Sequence, residues 1–172
     1  DGRSLVSVAA AGQTSETQQR DSELTTWDPA SGKPRFTLPI TPADGERVAI
    51  SPDGSKIAWV VANGSNGKIW VMNSDGTNKH AITGDLKYLE NTDWSPDGIH
   101  IGYDYDADDD ELNELVQIHS DGTNSEILYQ SGEPYTDVWM GGYSSSQRGL
   151  IFSFVKYDYY YNMIETNIAG LG

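Results

Sequence analysis

The densest chemistry in this chain is the run Asp104-Tyr105-Asp106-Ala107-Asp108-Asp109-Asp110-Glu111. Carboxylates at alternate positions, here Asp104, Asp106, Asp108 and Asp110, can converge on a hard cation, as in the first half of a calcium-binding EF-hand loop. The rest of that pattern is missing. Its sixth position holds Asp109 where the sharp turn needs Gly, and its twelfth holds Leu115, with Glu114 one residue early. A solvated acidic loop is the favoured reading, with calcium as the alternative that these four carboxylates define.

Two further acids, Asp93 beside Trp94 and Asp137 near Trp139, fall on predicted inner strands at places that look equivalent. Should those strands line a channel, the two acids would give it a negative lining that attracts a cation or a basic peptide. The simpler reading is that each satisfies backbone N–H groups of a neighbouring turn. In Tyr157-Asp158-Tyr159-Tyr160-Tyr161, the residues Tyr157, Tyr159, Tyr160 and Tyr161 are candidate partner contacts, since exposed tyrosines anchor interfaces well. The competing reading packs them under a neighbouring unit.

Catalytic patterns are scarce. His80, His100 and His119 fall on different predicted strands, and no His-x-x-x-His spacing or cysteine suggests a zinc centre. No Gly-x-Ser-x-Gly elbow and no phosphate-binding glycine loop occurs. The expectation is a segment without enzyme activity and without a cofactor, calcium excepted.

These residues are positioned by a repeat. Ser51-Pro52-Asp53-Gly54 returns 44 residues later as Ser95-Pro96-Asp97-Gly98, and Ser74-Asp75-Gly76-Thr77-Asn78 returns 46 residues later as Ser120-Asp121-Gly122-Thr123-Asn124. Pro presets φ for a tight corner, Asp accepts a local backbone hydrogen bond and Gly tolerates positive φ. Between the turns lie short runs rich in Val, Ile, Trp and Tyr, the composition of strands. The second copy predicts strands over 46–50, 56–62, 68–73 and 80–83. The third predicts 91–94, 100–105, 115–119 and 126–129. Partial copies flank them, with strands over 4–10, 23–28 and 35–39 before and 135–140, 149–156 and 162–167 after. The total is about fourteen strands, with no sustained helical period. Large aromatics such as Trp59, Trp70 and Trp94 suit the spaces between units.

Four antiparallel strands in about 40 to 50 residues is the signature of a β-propeller blade. The approximate blades are 1–40, 45–84, 89–130 and 135–172 of one all-β domain. Trp94-Ser95-Pro96-Asp97-Gly98 followed by Ile101, and Ile69-Trp70-Val71-Met72-Asn73-Ser74-Asp75-Gly76, resemble the PD40 (TolB-like, WD40-like) propeller repeat. That resemblance implies that each blade's first strand lines the central channel. It also implies protein or peptide binding through blade loops and the channel mouth, and a periplasmic, secreted or cell-surface location. PD40-like repeats also accompany hydrolase domains in prolyl-oligopeptidase and tricorn-type serine peptidases, so a substrate-gating propeller is the runner-up. A third reading is a structural subunit whose blade edges pair with neighbouring chains. The loops after the second strands, 11–22, 63–67, 106–114 and 157–161, vary most in length, which is where recognition usually lives.

The first unit lacks an inner strand and the last an outer one. The chain begins at Asp1-Gly2, the tail of a Ser-Pro-Asp-Gly motif, and stops just after Ala169-Gly170, an Asp-Gly-like turn position. It therefore reads as about three and a half blades of a longer propeller, completed by the remainder of that propeller or by a larger assembly. The alternative is a complete, irregular β domain. A net charge of −15 disfavours nucleic-acid backbones and anionic membrane surfaces. No apolar run reaches the roughly 18 residues of a membrane-spanning helix. Asn63-Gly64-Ser65 matches a glycosylation sequon, but a Gly-rich hairpin turn explains it more simply.

Overall fold

The computed structural model describes residues 5–10, 22–40, 48–89, 91–107, 113–132, 136–143, 150–157 and 163–171. Among these residues there is no helix, and fifteen strands form four consecutive antiparallel groups. The first group is β1 (Leu5–Ala10), β2 (Ser22–Trp27) and β3 (Pro34–Ile40). The second is β4 (Val48–Ile50), β5 (Lys56–Asn63), β6 (Asn66–Asn73) and β7 (His80–Ala81), and a two-residue strand β8 (Leu86–Lys87) follows it. The third is β9 (Thr92–Trp94), β10 (His100–Asp106), β11 (Asn113–His119) and β12 (Glu126–Gln130). The last is β13 (Thr136–Tyr143), β14 (Leu150–Tyr157) and β15 (Met163–Leu171).

The copies of each repeated turn share their main bonds. Ser51 and Ser95 are buried, and each hydroxyl donates to the carboxylate two residues on, Asp53 or Asp97. The same hydroxyls accept the Lys56 and His100 amides, both at 2.9 Å. Gly54 and Gly98 close the corners with φ of 73° and 71°, donating to Ser51 and Ser95 carbonyls at 2.8 Å. In the second motif Asp75 and Asp121 each accept the amide and hydroxyl of the Thr two residues on. These bonds to the ionised form hold all four carboxyls below the usual carboxylate range. At Asp53 the largest cause is the Ser55 amide; at Asp97 it is the Ser95 hydroxyl.

The second motif also fixes how one blade leans on the one before. Gly76 sits so close to the Phe36 ring that an added Cβ would stand 2.5 Å from it. Gly122, 46 residues on, meets Ile82, which is itself 46 residues after Phe36. Both glycines have φ of 85°. Backbone conformation and packing against the preceding blade thus demand the same residue twice.

Three apolar clusters fill the three seams. Leu24, Ile57, Trp59 and Met72 join the first and second blades. Ile69, Val71, Trp94, Ile101 and Ile118 belong to the larger cluster between the second and third. Leu115, Val138, Met140, Leu150 and Phe152 join the third and fourth. Burying one such side chain is worth about 1.5–3 kcal/mol, so these seams, more than the hairpins, hold the blades in place. The expected inter-blade aromatics appear at Trp59 and Trp94, which are 2% and 3% exposed. The Trp94 indole N–H also crosses a seam to donate to the Ala49 carbonyl at 3.1 Å.

Several expectations change. The strand expected over 80–83 shortens to His80–Ala81. The expected turn at Ala169-Gly170 does not exist: both residues lie inside β15, paired with Phe152 and Ile151. Strand β8 was not foreseen; it pairs with β6 on one side and β10 on the other, fusing the second and third blades into one sheet.

Candidate functional site

The hairpin from β5 to β6 turns at Gly64 and Ser65 between the closing pair Asn63 and Asn66, with φ of 65° at Gly64. The far end of β10, where the acidic run begins, lies beside it, because Lys87 of β8 pairs with Asn66 and with Asp106. The β5–β6 turn and the end of β10 therefore lie on either side of β8. The Tyr88 amide donates to the Ser65 carbonyl at 2.7 Å, and Leu89 is buried against Gly67.

Tyr88 is pinned on both sides yet is 60% exposed. Its φ is +45°, in the left-handed region. Among the described residues two other non-glycines share that sign, Asn78 and Asn124, and asparagine is the residue that tolerates it. A bulky side chain there costs on the order of 1–3 kcal/mol. The sequence gives no hint of this, since the strain comes from β8 being clamped between two blades.

The acids singled out from sequence are largely drawn into the seam between the third and fourth blades. Asp104 lies within β10, inside the strand predicted over 100–105, and is 2% exposed. It accepts the Met140 amide of β13 at 3.1 Å and the Asn91 side chain at 3.4 Å. Asp93 accepts the Trp94 amide at 2.8 Å and, across the seam, the Tyr143 amide at 3.2 Å. Asp137 accepts the Asn113 amide group at 3.5 Å. The two inner-strand acids are not equivalent in register: Asp93 pairs with Gly102, beside the turn, whereas Asp137 pairs with Val155, toward the other end of its blade.

Asp106 closes β10, and Asp108 and Asp110 lie outside the described residues. Glu114, the nearest stand-in for the missing twelfth ligand, is buried and accepts the Tyr105 hydroxyl at 2.7 Å. Among the described residues no group of three or more His, Asp or Glu side chains converges as a metal site. Tyr157 closes β14, and Tyr159, Tyr160 and Tyr161 lie outside the described residues.

Tyr143 illustrates the cost of this seam. Its ring covers Gly102, where an added Cβ would stand 3.0 Å from it. Its hydroxyl is buried with no hydrogen-bond partner among the described residues. Burial, reinforced by Asp93 and Asp97, pushes its phenol well above the usual tyrosine range.

Sequence separation hid a different pairing. His100 and His119 sit on different strands, as expected, but the register sets them directly opposite each other. Reading the repeat as a ladder exposes the pair, since Lys56 and Asn73 face each other at the same place one blade earlier.

No protein-family description and no curated protein matches the sequence. Solved structures do. The β-propeller domain of the Trilobed protease from Pyrococcus furiosus matches with a TM-score of 0.69 at 13% identity, over 99% of this chain and 52% of that one. TolB from Acinetobacter baumannii matches with a TM-score of 0.60 at 19% identity, over 88% and 39%. The acylaminoacyl peptidase of Pyrococcus horikoshii matches with a TM-score of 0.63 at 17% identity, over 92% and 28%. The chain thus spans about half of the first of these and less of the other two. At such identities the likeness concerns architecture, and it agrees with the blade order derived above: the fold is that of a partial β-propeller.

Proposed function

We propose that this chain is the noncatalytic, PD40-type part of a propeller that binds a protein or peptide through the loops at the β8 end of its blades. The observation that supports it most is Tyr88, held exposed in a strained backbone conformation between two fixed neighbours. Rigid, exposed tyrosines contribute large contact area at low entropic cost. The net charge of −15 favours a partner with basic segments. The extracytoplasmic location implied by the PD40 resemblance belongs to the same proposal.

The test uses the full parent protein as bait, with Tyr88→Ala and with segments 106–114 and 157–161 replaced by Gly-Ser linkers. Recovery of the partner is expected to fall in each variant while the circular dichroism spectrum stays unchanged. Undiminished recovery in all three would reject the proposal.

A second reading, a substrate-gating propeller beside a peptidase domain, draws support from the similarity to the protease and peptidase structures above. Under it, peptide turnover by the parent would change in length selectivity when these loops are shortened.

A further inference from the structure

His100 opens β10 and His119 closes β11, directly opposite each other across the antiparallel ladder. Their ring centroids are 4.8 Å apart and the planes meet at 67°. Two imidazoles binding one tetrahedral or square-planar ion at the usual metal–nitrogen distance would have centroids about 4.5–5.2 Å apart. The backbone already holds the rings at that separation.

Each ring also has a polar side chain at its Nδ1. Asp97 Oδ1 lies 3.9 Å from His100 Nδ1. The Asn124 side-chain amide lies 3.2 Å from His119 Nδ1. A ligating histidine typically donates its second ring N–H to a carboxylate or carbonyl-type oxygen, which leaves the other nitrogen free to bind metal. Asp97 lies just beyond hydrogen-bond reach of His100 and supplies a negative charge beside it. At His119 the near atom is the Asn124 amide nitrogen, which donates to Nδ1; in the metal-bound form the amide flips to present its oxygen, the two orientations having the same shape. The site is open to solvent: the His100 side chain is 26% exposed, and Asn124 is exposed.

We propose that His100 and His119 form a two-imidazole site for a borderline transition-metal ion such as zinc, nickel or copper. Both Nε2 atoms bind the ion, and water completes its shell. The rings pass from their edge-to-face contact to chelation by rotation about χ2, a soft torsion for histidine, and the Asp97 and Asn124 side chains follow their Nδ1 atoms. The bound ion staples the second strand of this blade to the third, next to both repeated turns. It lies at the opposite end of β10 from Asp106, whose partner Lys87 precedes Tyr88.

The test titrates zinc into protein without a polyhistidine tag, read by calorimetry and by the imidazole NMR signals of the three histidines. One ion per chain is expected to bind at micromolar concentration, moving the His100 and His119 signals and leaving His80 in place. His100→Gln and His119→Gln should each weaken binding at least tenfold, and Asn124→Ala about tenfold. His80→Gln should change nothing. The NMR readout decides the matter in the unaltered protein, whether or not a variant folds. Signals that stay fixed up to millimolar zinc, movement of one histidine alone, or unchanged affinity in both Gln variants would overturn the assignment.

Discussion

The Asp104 carboxylate and the Met140 amide are joined by a 3.1 Å hydrogen bond that crosses from the third blade to the inner strand of the fourth. One blade earlier, 44 residues back, Val60 occupies the place of Asp104, and Ala49 the place of Asp93. Both earlier residues pack in the apolar cluster between the second and third blades. The repeat has thus exchanged two apolar contacts for two carboxylates, each accepting a backbone N–H of β13.

Replacing Asp104 by its repeat counterpart therefore does not restore an ordinary seam. Asp104→Val leaves the Met140 amide buried without an acceptor and is expected to cost about 1–3 kcal/mol. Asp104→Asn keeps an acceptor oxygen and should cost less. Urea unfolding of both variants checks the order, and equal stabilities would contradict it.

Gly76→Ala meets two obstacles, a φ of 85° and the Phe36 ring. A loss of about 1–3 kcal/mol is expected from the backbone conformation alone, with more from the steric clash. Phe36→Ala should relieve the clash and leave the conformational cost. In a double-mutant cycle the two changes together should then cost less than the sum of the separate ones.

Tyr143→Phe removes a buried hydroxyl that lacks a partner among the described residues. Stability should be unchanged or higher by up to about 1 kcal/mol, because no hydrogen bond is lost and a desolvated polar atom disappears. A marked loss in thermal unfolding would show that the hydroxyl has a stabilising role.

The turn acids set a response to acid. Asp53 and Asp97 are held below the ordinary carboxylate range when folded. Their contribution is thus fully present above an unfolded value of about 4 and is lost as pH falls through the lower folded values. Asp53→Asn and Asp97→Asn should each flatten the acid limb of a stability–pH curve below about pH 4. Both groups are solvent-facing, so screening keeps the effect small.

Much of the scaffold is legible because its determinants are local. Ser-Pro-Asp-Gly places a Pro, an Asp and a Gly where one tight turn needs them, and the structure builds both copies around the same Ser hydroxyl bonds. Other features depend on neighbours distant in sequence. The role of Asp104 depends on an amide 36 residues away. From sequence it is a candidate cation ligand until β13 is in view. β8 is two residues long and carries no period, so only its two partners define it as a strand. His100 and His119 are 19 positions apart and become neighbours through register alone.

The short β8 strand has a mechanical consequence. Among the described residues, the first and fourth blades form sheets of their own, whereas the second and third share one continuous hydrogen-bonded network through Lys87. At the outer seams a load pulling the blades apart would have to part side-chain contacts, the Asp104 and Asp93 bonds to β13 among them. At the middle seam it would also have to break the backbone pairing of β8 with β6 and β10. Rupture should therefore begin at the flanks and leave the central pair as the last intact piece.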